Sequence, residues 1–270
     1  MTTKRFWLYH AFVATFACLF AGFANAADDI VCHAASPPHS VALLELYTSE
    51  GCSSCPPADA RLRELPAKGL DHTKVIPLSL HVDYWNALGW PDPYSDAVYT
   101  ERQRQLVRIN GLRTLYTPQF VLNGEDFRPW SFWDRLQKRV AEINRLPAQA
   151  DIRLAASLAK TNRLRVSGVA HARNPSARVR IRAYLALYEN KLTSEVTAGE
   201  NATHVLNHDY VVRTLIGPLA FNAQGEADLS RTLRLQSGWK PEHSGVAAFV
   251  QQLDTGEILQ ALALPLCAAR

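Results

Sequence analysis

Residues 45–57 read Glu45-Leu46-Tyr47-Thr48-Ser49-Glu50-Gly51-Cys52-Ser53-Ser54-Cys55-Pro56-Pro57. The run 40–47 leading into this stretch is short and apolar, as a buried strand is, and residues 48–51 carry the chain onward as a loop. Pro56 suits the first position of a helix whose apolar face is marked by Leu62 and Leu65 and whose end is marked by Gly69. Two cysteines separated by two residues at such a junction can close a small disulfide ring and reopen it. Backbone N–H groups and the positive end of a helix dipole lower a nearby thiol's pKa and enrich the thiolate. Cys52 is therefore the expected attacking sulfur, with Cys55 resolving the mixed disulfide. Pro56 bears on this: a helix starting there rather than at Ser53 leaves Cys52 a turn farther from the dipole and less activated.

Working outward, a second buried strand is expected over 75–82, followed by an aromatic, proline-broken loop over 83–94. Ser95 and Asp96 can cap a helix that ends at Asn110-Gly111. Then come Tyr116-Thr117-Pro118, a strand over 119–122, a hairpin turn at Asn123-Gly124, and a helix over 130–146 that Pro147 closes. Strands alternating with helices in this order imply an α/β layer, a sheet flanked by helices. Beyond about Ala148 the texture changes. Alternating strands are expected over 152–158, 164–172, 179–188, 210–215, 227–235, 246–253 and 258–264, with no convincing helix, which describes a β-sandwich. The boundary is placed near 147–151.

The ends and the composition set the compartment. Lys4 and Arg5, an apolar run over 6–23 and Ala24-Asn25-Ala26 form a signal peptide, residues 1–26, with cleavage expected after Ala26. A periplasmic or secreted protein follows, in two parts, residues 27–148 and 149–270. No later apolar run is long enough to cross a bilayer. Loss of Lys4 and Arg5 lowers the formal charge from +4 to +2, too little for nucleic-acid binding, and the basic residues between Arg163 and Arg182 alternate with apolar ones as on the solvent face of strands. Of five cysteines, Cys18 leaves with the signal peptide. Four cysteines in an oxidising compartment are expected to pair, Cys52 with Cys55 and Cys32 with Cys267, the latter tying the two ends of the mature chain together. No second Cys-x-x-Cys or Cys-x-x-His completes a tetrahedral zinc site, and no cofactor is expected.

The run 47–59, together with His81-Val82-Asp83-Tyr84-Trp85 and Tyr116-Thr117-Pro118-Gln119, resembles a family of secreted bacterial proteins of unsettled function within the thioredoxin superfamily. The resemblance, specific over about Val41 to Phe127, implies a thioredoxin-like domain, ahead of the all-β, sandwich-like one expected from the strand pattern. It implies a cis bond at Thr117-Pro118, facing the cysteine pair and presenting the backbone of Thr117 to an extended peptide, with Pro118 and Thr117 as site residues. It also implies that Glu45 is the buried carboxylate serving Cys55; the alternative is a strand-end glutamate facing solvent. His81 and Asp83 can point toward the motif from the end of the second strand, or they can orient the aromatic loop. Trp85 and Trp90 read as packing or rim residues, His204 and His208 as surface histidines, and Asn201-Ala202-Thr203 as a sequon that a bacterial source leaves idle.

Three functions compete. The first is thiol–disulfide exchange with protein or small-molecule disulfides, the second part of the chain aiding substrate binding or partner docking. The second is capture of copper or another thiophilic metal by Cys52, Cys55 and His81, as in copper-handling relatives of thioredoxin. The third is an envelope binding protein stapled by its Cys-x-x-Cys.

Overall fold

The computed structural model describes residues 31–159 and 162–267; the expected signal peptide lies outside them. The first half contains β1 (Val31–Ala35), β2 (Ala42–Thr48), α1 (Pro56–Glu64), β3 (Val75–His81), α2 (Ala97–Ile109), β4 (Gln119–Leu122), β5 (Glu125–Asp126) and α3 (Trp133–Asn144). The second half contains β6 (Ala150–Ala159), β7 (Arg163–Ala172), β8 (Ile181–Glu189), β9 (Leu192–Glu195), β10 (Val205–His208), β11 (Val211–Leu219), β12 (Glu226–Asp228), β13 (Arg231–Arg234), β14 (Ser244–Gln252) and β15 (Ile258–Pro265).

Eight strands form one sheet in the order β15-β14-β8-β11-β3-β2-β4-β5. β2 and β3 run parallel from Ala42↔Val75 to Thr48↔His81, and every residue of both is buried, which is why they read as continuous apolar runs rather than as alternation. β4 lies antiparallel to β2. On the other side of β3, β11 meets it in parallel, and the Ser79 N–H donates to the Tyr210 carbonyl at 2.8 Å. A second sheet is ordered β1-β6-β7-β12, with β13 also pairing β7.

The large sheet is covered on both faces. Alternate residues of β8 point opposite ways: Tyr184, Ala186 and Tyr188 join Phe249, Tyr99, Leu106 and the cores of β2 and β3. Ala183, Leu185 and Leu187 meet Ile152, Leu154, Leu164 and Val166 of the second sheet. The molecule is thus a mixed α/β structure with three α-helices and several sheets among the described residues. The change of texture near 147–151 is a loss of helix, while hydrogen bonding within the large sheet crosses it.

Local signals explain most element ends. Asp96 caps α2 by accepting the Val98 N–H at 2.8 Å. Asn123 and Gly124 have φ of 54° and 91°, a turn only such residues make easily, and a Cβ on Gly124 would collide with the Gly256 carbonyl. The strand expected over 227–235 is instead two, β12 and β13, because Asp228 accepts the Ser230 N–H and turns the chain between them. β1, β9 and β10 are short and carry no strong signal in the sequence. Among the described residues no helix is long and apolar enough to cross a membrane.

Candidate functional site

The motif sits where β2 gives way to α1. Cys52 and Cys55 stand at disulfide distance with Cα atoms 5.5 Å apart. A tight turn holds them, the Cys55 N–H donating to the Cys52 carbonyl at 3.1 Å. α1 begins at Pro56 rather than at Ser53. Pro56 and Pro57 have no N–H, and the next two donors, Ala58 and Asp59, both turn to the Cys55 carbonyl. The helix end therefore offers Cys52 none of these donors. What Cys52 has instead is the Ser54 hydroxyl, 3.3 Å from its sulfur.

A loop from the second half closes over the pair. Glu200 accepts the Ser53 N–H at 3.0 Å and the Ser53 hydroxyl at 2.7 Å, two bonds that hold its carboxyl below the usual glutamate range. Asn201 donates to the carbonyls of Glu50 and Cys52 at 2.8 and 3.0 Å. Asn201 is itself buried, so this sequon cannot present an acceptor at the surface. Under this cover Cys52 and Cys55 are 1% and 0% exposed.

Thr117-Pro118 is cis. Trp85 spans the space between this bond and the motif: its indole N–H donates to the Thr117 hydroxyl at 2.8 Å, and a Cβ on Gly51 would meet its Cβ at 3.2 Å. Asp83 takes the Thr100 hydroxyl and so holds the start of the aromatic loop to α2. Glu45 is buried, yet both its oxygens are taken by Arg102, at 2.5 and 2.9 Å, and Tyr47 adds its hydroxyl at 3.2 Å. Residues on a strand alternate between faces, so Glu45 faces α2, whereas Thr48 faces α1 and donates to Asp59 at 3.2 Å. The carboxylate one helical turn beyond Cys55 is Asp59.

His208 corrects an expectation: it is not a surface histidine but 2% exposed. β10 pairs with β9 as a hairpin laid against α1, where Arg63 donates to the Asn207 carbonyl, and alternation turns Leu206 and His208 inward; His204, before the strand, is exposed. Beneath the motif His208 joins a buried polar cluster. Its Nε2 donates to Glu50 at 3.2 Å, and Glu50 also accepts the Trp90 indole N–H at 2.7 Å. His81 Nδ1 donates to Asp92 at 2.7 Å, and Asp92 takes the Glu50 N–H at 2.8 Å. Burial raises the Asp92 carboxyl, but His81 and two backbone N–H groups outweigh it and hold the group low. Burial likewise opposes charge on His208, while Asp59 and Glu50 overcome it and raise its pKa to about 10. Two nitrogens of this cluster, His81 Nε2 and His208 Nδ1, are buried without a hydrogen-bond partner among the described residues. Such groups cost roughly 1–3 kcal/mol each.

His81 thus engages Asp92 through Nδ1, and one of its ring nitrogens lies within 4.8 Å of donor atoms on Asp59 and His208. Cys32 and Cys267 also stand at disulfide distance, joining β1 to the residues just after β15.

Fold and site together define a mixed α/β protein with an enclosed Cys-x-x-Cys pair at a strand–helix junction. The chain belongs to the DUF1223 family, described as a protein of unknown function, whose model matches residues 43–251. It is similar to protein AGR_C_4864 from Agrobacterium tumefaciens, at 26% identity and TM-score 0.57 over 87% of this chain and 98% of that one. It is similar in fold to HBP35 of Porphyromonas gingivalis, at 15% identity and TM-score 0.62 over 86% of this chain and 76% of that one. No curated protein matches.

Proposed function

We propose that this chain is an exported thiol–disulfide oxidoreductase with a thioredoxin-like site, acting in the periplasm or outside the cell on protein or small-molecule disulfides. The observation that carries the reading is the Cys52–Cys55 pair at disulfide distance, on the turn between a fully buried parallel strand and a helix. In the reducing direction the Cys52 thiolate attacks a substrate disulfide, breaking its S–S bond and releasing one substrate thiolate. Cys55 then attacks the Cys52 sulfur, releases the second thiolate and leaves the pair oxidised, two electrons having passed to the substrate. An external dithiol reverses the sequence. Thr117 and the cis Pro118, linked to the motif through Trp85, form the shelf for an extended peptide. Asp59 takes over the role expected of Glu45, whose oxygens Arg102 occupies.

Purified protein is expected to reduce insulin with dithiothreitol as donor and to equilibrate with glutathione. Cys52→Ser is expected to abolish both, and Cys55→Ser to accumulate a mixed disulfide. Absence of exchange, with reduced Cys52 inert to iodoacetamide, overturns the proposal. The near-complete enclosure of both sulfurs favours a second reading, a permanent staple in an envelope protein. A reduction potential below about −300 mV would establish that reading instead.

A further inference from the structure

The geometry points to a binding site for a zinc-class divalent cation, formed by Asp59 Oδ1, His81 Nε2 and His208 Nδ1 beneath the cysteine pair. It uses neither sulfur, but it shares Asp59 with the redox reading, and an ion there would take the oxygen that Thr48 leaves for the Cys55 proton. The three donors come from three separate elements: Asp59 from α1, His81 from the end of β3 and His208 from the end of β10. They lie within 4.8 Å of one another, and all three residues are buried.

Each donor is fixed from behind. His81 Nδ1 bonds Asp92 at 2.7 Å and His208 Nε2 bonds Glu50 at 3.2 Å, leaving the opposite nitrogen of each ring free to ligate. Thr48 holds the other oxygen of Asp59 at 3.2 Å. This is the carboxylate–histidine–metal arrangement, in which an outer carboxylate sets the tautomer and orientation of a ligating imidazole. The two inward nitrogens are the ones that no described side chain or backbone group satisfies. The rings stand 5.0 Å apart and nearly perpendicular at 81°. His208 Nδ1 and the Asp59 oxygen are 3.8 Å apart. Two ligands of one tetrahedral ion, each bonded at about 2.1 Å, sit about 3.4 Å apart, so this pair closes by a few tenths of an ångström and His81 by up to about 1.4 Å to seat the ion.

Two imidazoles and one carboxylate select a borderline transition cation, zinc above all, over calcium or magnesium, which take oxygen ligands. With three protein ligands, the fourth position falls to water. The rival occupant is a proton on His208 shared toward Asp59. It answers the same electrostatics and takes up no metal.

The test uses the full purified chain, chelator-stripped, with both disulfides intact so that no thiolate competes. Titration with Zn²⁺, followed by calorimetry and by metal analysis after gel filtration, is expected to show one equivalent per chain. Asp59→Asn and His208→Gln are each expected to lose about a hundredfold or more in affinity, and Asp92→Asn about ten- to a hundredfold. The Cys52→Ser/Cys55→Ser protein is expected to bind as the wild type does. X-ray absorption of the zinc-loaded wild type needs no variant and is expected to show imidazole scattering without a sulfur shell. No stoichiometric uptake, uptake undiminished in Asp59→Asn and His208→Gln, or sulfur in the zinc shell overturns the site.

Discussion

Arg102 and Glu45 are the most consequential charges outside the motif. They form a bidentate pair with almost no exposure, and the guanidinium also lies 4.8 Å from the ring centres of Tyr184 and Phe249. Burial works against the Arg102 charge, but Glu45 outweighs it and keeps the guanidinium protonated. Removing one partner strands the other's charge in the core. Arg102→Met is expected to cost about 3–5 kcal/mol in urea unfolding, whereas Arg102→Met with Glu45→Leu should recover most of that loss or exceed the wild type. A double variant as unstable as the single one would contradict this. The pair also shows what a linear reading misses. The apolar run around Glu45 was legible as a buried strand, but its partner is 57 residues away on a helix that sequence marks only as amphipathic. His208 was missed for the same reason: its burial is decided by what the hairpin packs on, not by its neighbours in the chain.

Elements with strong local signals are legible nearly to the residue. β4 over Gln119–Leu122, the Asn123-Gly124 turn and α2 with its Asp96 cap all rest on turn and cap chemistry contained in a few adjacent residues. β9 and β10 carry no such signal. Each has four residues, three of them polar in β9 and two in β10, and their pairing is satisfied only across the hairpin. β1 is held differently, by antiparallel pairing with β6, and Cys32 on it stands at disulfide distance from Cys267, 235 positions later. Chain entropy assigns such a cross-link at most about 5 kcal/mol. Cys32→Ser/Cys267→Ser is therefore expected to lower the urea midpoint while leaving insulin reduction per folded molecule unchanged. An unaltered midpoint would show that β1 is held by its strand pairing alone.

At the scale of the molecule, the large sheet decides what can fold alone. β3 is central in it, with β2 on one side and β11, from far downstream, on the other. Residues 27–148 by themselves would leave β3 as an apolar edge with unpaired backbone groups, and such edges recruit other chains. The intact chain is expected to unfold in one transition, coincident by near- and far-ultraviolet circular dichroism, and the 27–148 fragment to aggregate. Two separated transitions, or a soluble and cooperatively folded fragment, would show that the halves are autonomous. The loop bearing Glu200 and Asn201 extends this logic from space to time. Asn201 reaches the Cys52 carbonyl from 149 positions later in the chain. Synthesised from its N-terminus, the protein makes both thiols long before it makes the segment that encloses them. Until that segment is made, Cys52 and Cys55 lack the cover that encloses them in the folded chain.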